Sequence, residues 1–336
     1  MKPTSAERVI KFSTEISSSH AFRTFTQNLS LKPRVTFEVI CSSKFSGLMV
    51  KEVNTDKDVM CKAMFPCRTY VLHSETPARM CIDIKTCTEF LKKVQNNVLL
   101  HIVCYEATPD NVEFWYCFGG VEKLVMKSIP VEVRIELPKI KPITTEYMIQ
   151  ANVGVLKRFK KLAQIVGSTK FTFLVKKVSN TIRSQLSDKH CPKIVVVFAF
   201  AGPHHSVSRL FPSQIIGSSS TDTNCSTIRS TKINNILAKA DLESMQTLHK
   251  TVILHEHLTS FIRHMDKETN IEIGLSRNNP VIFNYDLGAP NCFIRNTIAP
   301  VTQMVIPVLK LNPDIAVNCI PLDVAPTEQL VPSTIL

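Results

Sequence analysis

A seven-residue segment occurs twice in the 336-residue chain, and its recurrence limits the fold more than any other feature. Thr88, Phe90, Leu91 and Lys92 are matched by Thr259, Phe261, Ile262 and Arg263, each 171 positions later. Both copies carry apolar residues at helical spacing and run directly into two strand-like stretches. A helix-then-strand unit at the same place in both halves implies two copies of one small fold. The length suits that reading, since roughly 100 to 200 residues make an ordinary domain and each half is long enough to bury its own core.

Four segments have the i, i+3, i+4, i+7 apolar spacing of one-sided surface helices. They span residues 17–30, 85–96, 152–166 and 254–267. In each, the cations avoid the apolar stripe: Arg23 in the first, Lys85, Lys92 and Lys93 in the second, Lys157, Arg158, Lys160 and Lys161 in the third, Arg263, His264 and Lys267 in the fourth. The spacing predicts that the third group forms an exposed cationic cluster. Nearly everything else alternates as strands do, at 35–40, 47–53, 58–65, 69–73, 98–105, 112–118, 122–127, 171–176, 193–199, 271–275, 281–285 and 292–298. Two helices and many short strands per half make an α+β fold, with helices gathered on one face of antiparallel sheets. Between the halves, Pro130, Pro138 and Pro142 alternate with apolar residues, which predicts an extended connector. A Ser- and Thr-rich stretch at 213–231 reads as an insertion loop.

Composition removes several classes of function. At 44% hydrophobic and 20% charged residues the chain is globular. Its longest apolar run, Ile194–Ala201, is too short to cross a bilayer and reads as a buried strand. Residues 1–11 lack the apolar stretch of a secretory signal, so the expectation is an intracellular protein without membrane contact. The eleven cysteines are scattered and lack zinc-type spacing, which fits reduced thiols and no metal site. His204, His205, His255 and His257 lack a third ligand at suitable spacing. With nine glycines, no phosphate-binding loop and no nucleophile elbow, no catalytic residue or cofactor is assigned, and the chain is not read as an enzyme. The formal charge of +12 implies an anionic partner, most simply nucleic acid.

The order of these elements resembles the sliding DNA clamp family, whose best-known member is proliferating cell nuclear antigen. The local matches are Gly47 to Asn54, similar to the strand and turn after the first clamp helix, and Asn279 to Phe283 with Phe293 to Pro300, similar to the closing hairpin. The resemblance implies the DNA clamp fold, with two similar domains each carrying two helices on antiparallel sheets. It divides the chain into a first clamp domain at 1–128, an interdomain connector at 129–143, a second clamp domain at 144–300 and a C-terminal tail at 301–336.

Within that family the segment 47–65 and the run from Cys117 to Lys123 are similar to the Rad-nine type subunit of the heterotrimeric checkpoint clamp, with the Hus-one type next. The resemblance then implies a non-enzymatic ring subunit in nuclear DNA-damage signalling and repair. Its partners would be double-stranded DNA, two other clamp subunits in a trimeric ring, a clamp loader, and repair or signalling proteins that bind near the connector. A polymerase processivity factor, replicative or viral, is the alternative within the family. A basic DNA- or RNA-binding protein without a ring is the alternative outside it. The short tail departs from the Rad-nine pattern, which typically ends in a long Ser-rich segment.

In a clamp the helices line the central hole, and a protein that slides must meet phosphates without reading bases. The implied DNA-binding residues are Lys92, Lys93, Lys157, Arg158, Lys160, Lys161, Arg263 and Lys267. Clamp partners insert apolar anchors beneath the connector, where Val131, Ile135, Leu137 and Ile140 are the implied lining. The strand at 122–127 is the implied free edge of the first half, and the matching edge in the second half is not assigned.

Overall fold

Alternation of apolar and polar residues builds the sheets, and a side-chain cap starts three of the four helices among the described residues. The computed structural model describes residues 9–29, 33–54, 56, 58–71, 78–117, 120–127, 145–180, 193–202, 206–212, 214–215, 245–277 and 279–301. The first half runs β1 (Ile10–Ile16), α1 (Ser19–Gln27), β2 (Arg34–Cys41), β3 (Ser46–Val53), β4 (Val59–Pro66), β5 (Arg68–Val71), β6 (Ala78–Asp83), α2 (Ile84–Lys93), β7 (Leu100–Tyr105), β8 (Asn111–Cys117) and β9 (Val121–Lys127). The second half repeats the order with β10 (Tyr147–Asn152), α3 (Val153–Ile165), β11 (Lys170–Lys177), β12 (Ile194–Ala201), β13 (Ser206–Pro212), β14 (Gln214–Ile215), β15 (Gln246–Leu254), α4 (His255–Ile262), β16 (Asn270–Leu275), β17 (Val281–Asp286) and β18 (Phe293–Ile298). The 171-residue offset holds for the start of α2 and α4 and for buried Ile102 and Ile273 on the strands that follow.

The strand order is the same in both halves. β5-β1-β7-β8-β9 in the first corresponds to β14-β10-β16-β17-β18 in the second, and β6-β2-β3-β4 corresponds to β15-β11-β12-β13. All pairings are antiparallel. The expected two sheets per half become three sheets among the described residues, because β18 pairs with β4 across the halves and fuses two of them into one nine-stranded sheet. The five-stranded sheet has β9 at one end and the four-stranded sheet has β13 at one end, and neither strand has a second partner strand among the described residues.

Each helix is pinned to a sheet by an aromatic pair. Phe22 and Phe25 of α1 meet Phe65 of β4, both at 5.2 Å between ring centroids. Phe90 of α2 meets Tyr116 of β8 at 5.9 Å, Phe159 of α3 meets Phe198 of β12 at 5.0 Å, and Phe261 of α4 meets Phe283 of β17 at 5.6 Å. Burying one such ring contributes about 1.5 to 3 kcal/mol. Ser18, Asp83 and Asn152 cap α1, α2 and α3 with side-chain oxygens that accept backbone N–H groups of the first turn. α4 is shorter than its sequence pattern predicts. It ends at Ile262, and Met265 still reaches the core because the chain turns back, with Met265 N donating to Ile262 O at 3.4 Å.

Candidate nucleic-acid interface

The helices pack in pairs. α1 meets α2 through Ser19 Oγ, which donates to Gln95 O at 2.6 Å, and through Arg23, which donates to Asn96 Oδ1 at 3.1 Å. α3 meets α4 through Lys157 Nζ, which donates to Met265 O and, at 3.4 Å, to Arg263 O. The two pairs are themselves close. Burial, then the charges of Arg263, Lys157 and Lys92, hold the His264 imidazole below its usual range, so the end of α2 lies within electrostatic reach of the end of α4.

Lys92 of the first half and Lys157 and Arg263 of the second therefore act together on His264. Lys92, Lys93, Arg158, Lys161, Arg263 and Lys267 are exposed. Lys92 shares its charge with Glu89 at 2.7 Å, an exposed pair that screens it only weakly. Lys157 and Lys160 depart from the predicted exposed cluster, since both are half-buried. Lys157 is spent on the carbonyls that end α4. Burial, with Lys267 and Lys160 alongside, lowers its affinity for a proton, and Asp266 opposes them. Lys267 lies beyond α4, in the turn whose carbonyl accepts Gly154 N at 2.8 Å.

Sequence reasoning left His264 and Arg23 out of the candidate set. The signal was present for both, as each stands off the apolar stripe of its segment. His255 and His257, which could suggest metal ligation, have other partners: His255 lies 5.0 Å from the Phe171 ring, and His257 Nε2 lies 2.8 Å from Asp58. Among the described residues no cluster of three metal-ligating side chains occurs. Val131, Ile135, Leu137 and Ile140 lie outside the described residues, as does residue range 302–336. So does the 213–231 stretch apart from Gln214 and Ile215, which form β14 against β10 rather than a loop.

No family model matches the sequence, and no curated protein matches it. Solved structures do. Proliferating cellular nuclear antigen from Entamoeba histolytica aligns with a TM-score of 0.61 at 13% identity over 87% of this chain and 99% of that one. Its counterpart from Thermococcus kodakaraensis gives 0.60 at 14% identity, covering 86% and 99%. This chain has the sliding-clamp fold. A chain of the PCNA2–PCNA3 complex from Sulfolobus tokodaii gives 0.58 at 13% identity, covering 87% and 100%.

Proposed function

We propose that this protein is a non-enzymatic subunit of a ring-shaped sliding clamp that encircles duplex DNA and recruits repair or signalling proteins. The seam between the halves carries this reading. β18 pairs with β4 through six residues, from Phe293 opposite Met64 to Ile298 opposite Val59. By the repeated strand order, β9 stands where β18 stands and β13 stands where β4 stands, yet neither has a second partner strand among the described residues. Joining β9 of one chain to β13 of the next repeats the internal seam and continues the arc until it closes. An unpaired edge strand invites such pairing. Exposed Val121 and Val125 on β9 add apolar surface at that edge, and exposed Ile165 ends α3 one residue before Val166, whose carbonyl lies against Gly202 just past β12.

The cations of α2, α3 and the α4 turn fit this function because they attract phosphates and carry no base readout. Within the clamp class we read the chain as a checkpoint-type subunit that assembles with two different clamp chains, is placed on nuclear DNA by a loader and acts in damage signalling. Its +12 charge supports this over a replicative processivity factor, since proliferating cell nuclear antigen is acidic.

Native mass spectrometry of the purified chain, alone and with the clamp chains of its own cells, tests the reading. The expected result is a monomer that forms a ring only with two different partners, and that Val125→Arg no longer joins. A stable homotrimer would overturn the checkpoint assignment and favour processivity. A monomer that never assembles, yet binds short linear oligonucleotides tightly, would overturn the ring.

A further inference from the structure

The solvent side of the nine-stranded sheet carries a second cationic feature, which DNA at the helix face does not explain. Phe65 and Phe283 receive α1 and α4, and so mark the core side of this sheet. Lys51, Lys62 and Arg295 alternate with buried Val50, Ala63 and Ile294, and therefore face the other side. Lys51 lies opposite Lys62, and Lys62 opposite Arg295, on adjacent strands β3, β4 and β18. Side chains so placed stand about 5 Å apart at Cβ, where like charges repel.

Elsewhere on the same side polar partners are matched. Arg79 donates to Glu38 at 2.9 Å, and Asn284 Nδ2 donates to Glu272 at 3.0 Å. Lys51, Lys62 and Arg295 make no ion pair among the described residues. The row is bordered by a second one, Met49 opposite Met64 and Met64 opposite Phe293, and Arg295 stacks over Phe293 at 5.4 Å. Arg295 also lines a polar recess of about 340 Å³ with Asn284 and Asp286, and Asn284 Oδ1 is buried there without a hydrogen-bond partner.

Three unneutralised cations beside methionines, side chains that adapt to varied apolar partners, fit one class of ligand. We propose that this seam binds an acidic linear segment of a partner protein, its carboxylates on Lys51, Lys62 and Arg295 and its apolar side chains on Met64 and Phe293. This rests on the reading that the protein recruits partners. It does not rest on DNA encirclement, because the row is on the opposite side of the sheet from the helices.

The test uses the full chain and fluorescein-labelled peptides of alternating glutamate and leucine, with a glutamine–leucine control, read by anisotropy over a salt series. Duplex DNA binding is measured in parallel. The glutamate peptide binds more tightly than the control and loses affinity with salt. Lys62→Glu weakens it about tenfold or more, Lys62→Gln by less, and both leave duplex affinity unchanged. Neither variant lowers the thermal midpoint, because each relieves repulsion. Equal affinity for the two peptides, or an unchanged affinity in Lys62→Glu, overturns the proposal. So does a loss of duplex binding in Lys62→Glu, which would make the row a phosphate contact. Displacement of the probe by a synthetic 302–336 segment would name the chain's own tail as occupant, and altered self-association of the variant would name a second copy; either result also overturns it. Loss of duplex binding on the helix side alone, with the peptide still bound, would sink the DNA reading and spare this one.

Discussion

His257 Nε2 of α4 lies 2.8 Å from the carboxylate of Asp58, just before β4, a contact that joins the second half of the chain to the first. The carboxylate is fixed in place before it meets the ring. Asn54 Nδ2 donates to Asp58 Oδ1 at 2.6 Å, and Asn54 Oδ1 accepts the backbone N–H groups of Asp58 and Val59. Asp58 O accepts Ala299 N at 2.7 Å just past β18. A buried imidazole and a held carboxylate thus lock the end of the β4–β18 seam. His257→Ala is expected to cost about 1 to 3 kcal/mol in urea unfolding, because it strands a partly buried acceptor. Faster hydrogen exchange should appear first at the Ala299 amide.

Lys157 and its neighbours on α3 separate stability from DNA binding. Lys157→Met removes the donor to Met265 O and Arg263 O at the end of α4, so it should lower stability by about 1 kcal/mol as well as weaken binding. Arg158→Ala and Lys161→Ala alter exposed cations only. Each should leave the thermal midpoint unchanged and reduce the salt slope of duplex binding by about one. An unchanged slope in the double variant would remove α3 from the interface.

His264 provides a pH dependence of binding. In the free protein burial, then Arg263, Lys157 and Lys92, hold it below its usual range, so it is neutral near pH 7. A phosphate brought to this face favours the charged form, and binding then takes up a proton. Duplex affinity should rise as pH falls towards and through the usual histidine range, and stop rising below the free-state value. Fluorescence titrations of wild type and His264→Gln over that range check this. Parallel profiles would place His264 away from the phosphates.

Asp83 caps α2, and its proton affinity is lowered chiefly by the Thr86 backbone N–H, then by the Thr86 hydroxyl, with smaller help from Arg34 and Lys85. A depressed carboxyl contributes stability above its unfolded value and loses it as pH falls through the folded one. Asp83→Ala should cost about 1 kcal/mol at neutral pH, a gap that closes in acid. Asp83→Asn should keep much of the cap and lose the pH dependence.

Local periodicity made much of this fold legible before any coordinates. The four helices and most strands follow from where Phe, Leu and Val fall, and the repeated unit at Thr88 and Thr259 sits in the same element of each half. β1 was missed because its core side includes Thr14, a polar residue at 2% exposure that breaks the apolar alternation. The β4–β18 pairing was also illegible. It joins strands more than 200 residues apart, from Val59 to Ile298, and neither strand has a local mark of its partner. Lys157 looked like its neighbours on the helix surface, and only the carbonyls at the end of α4 reveal its different task. The cation row at Lys51, Lys62 and Arg295 depends on the same pairing, so no window of sequence contains it.

Encirclement of the duplex is tested most directly by topology. The assembled ring, loaded on a nicked circular plasmid and washed in high salt that screens phosphate contacts, is expected to stay bound until one restriction cut linearises the circle, and then to slide off the ends. Retention that is the same before and after the cut would contradict encirclement and reduce the helix-face cations to an ordinary surface contact.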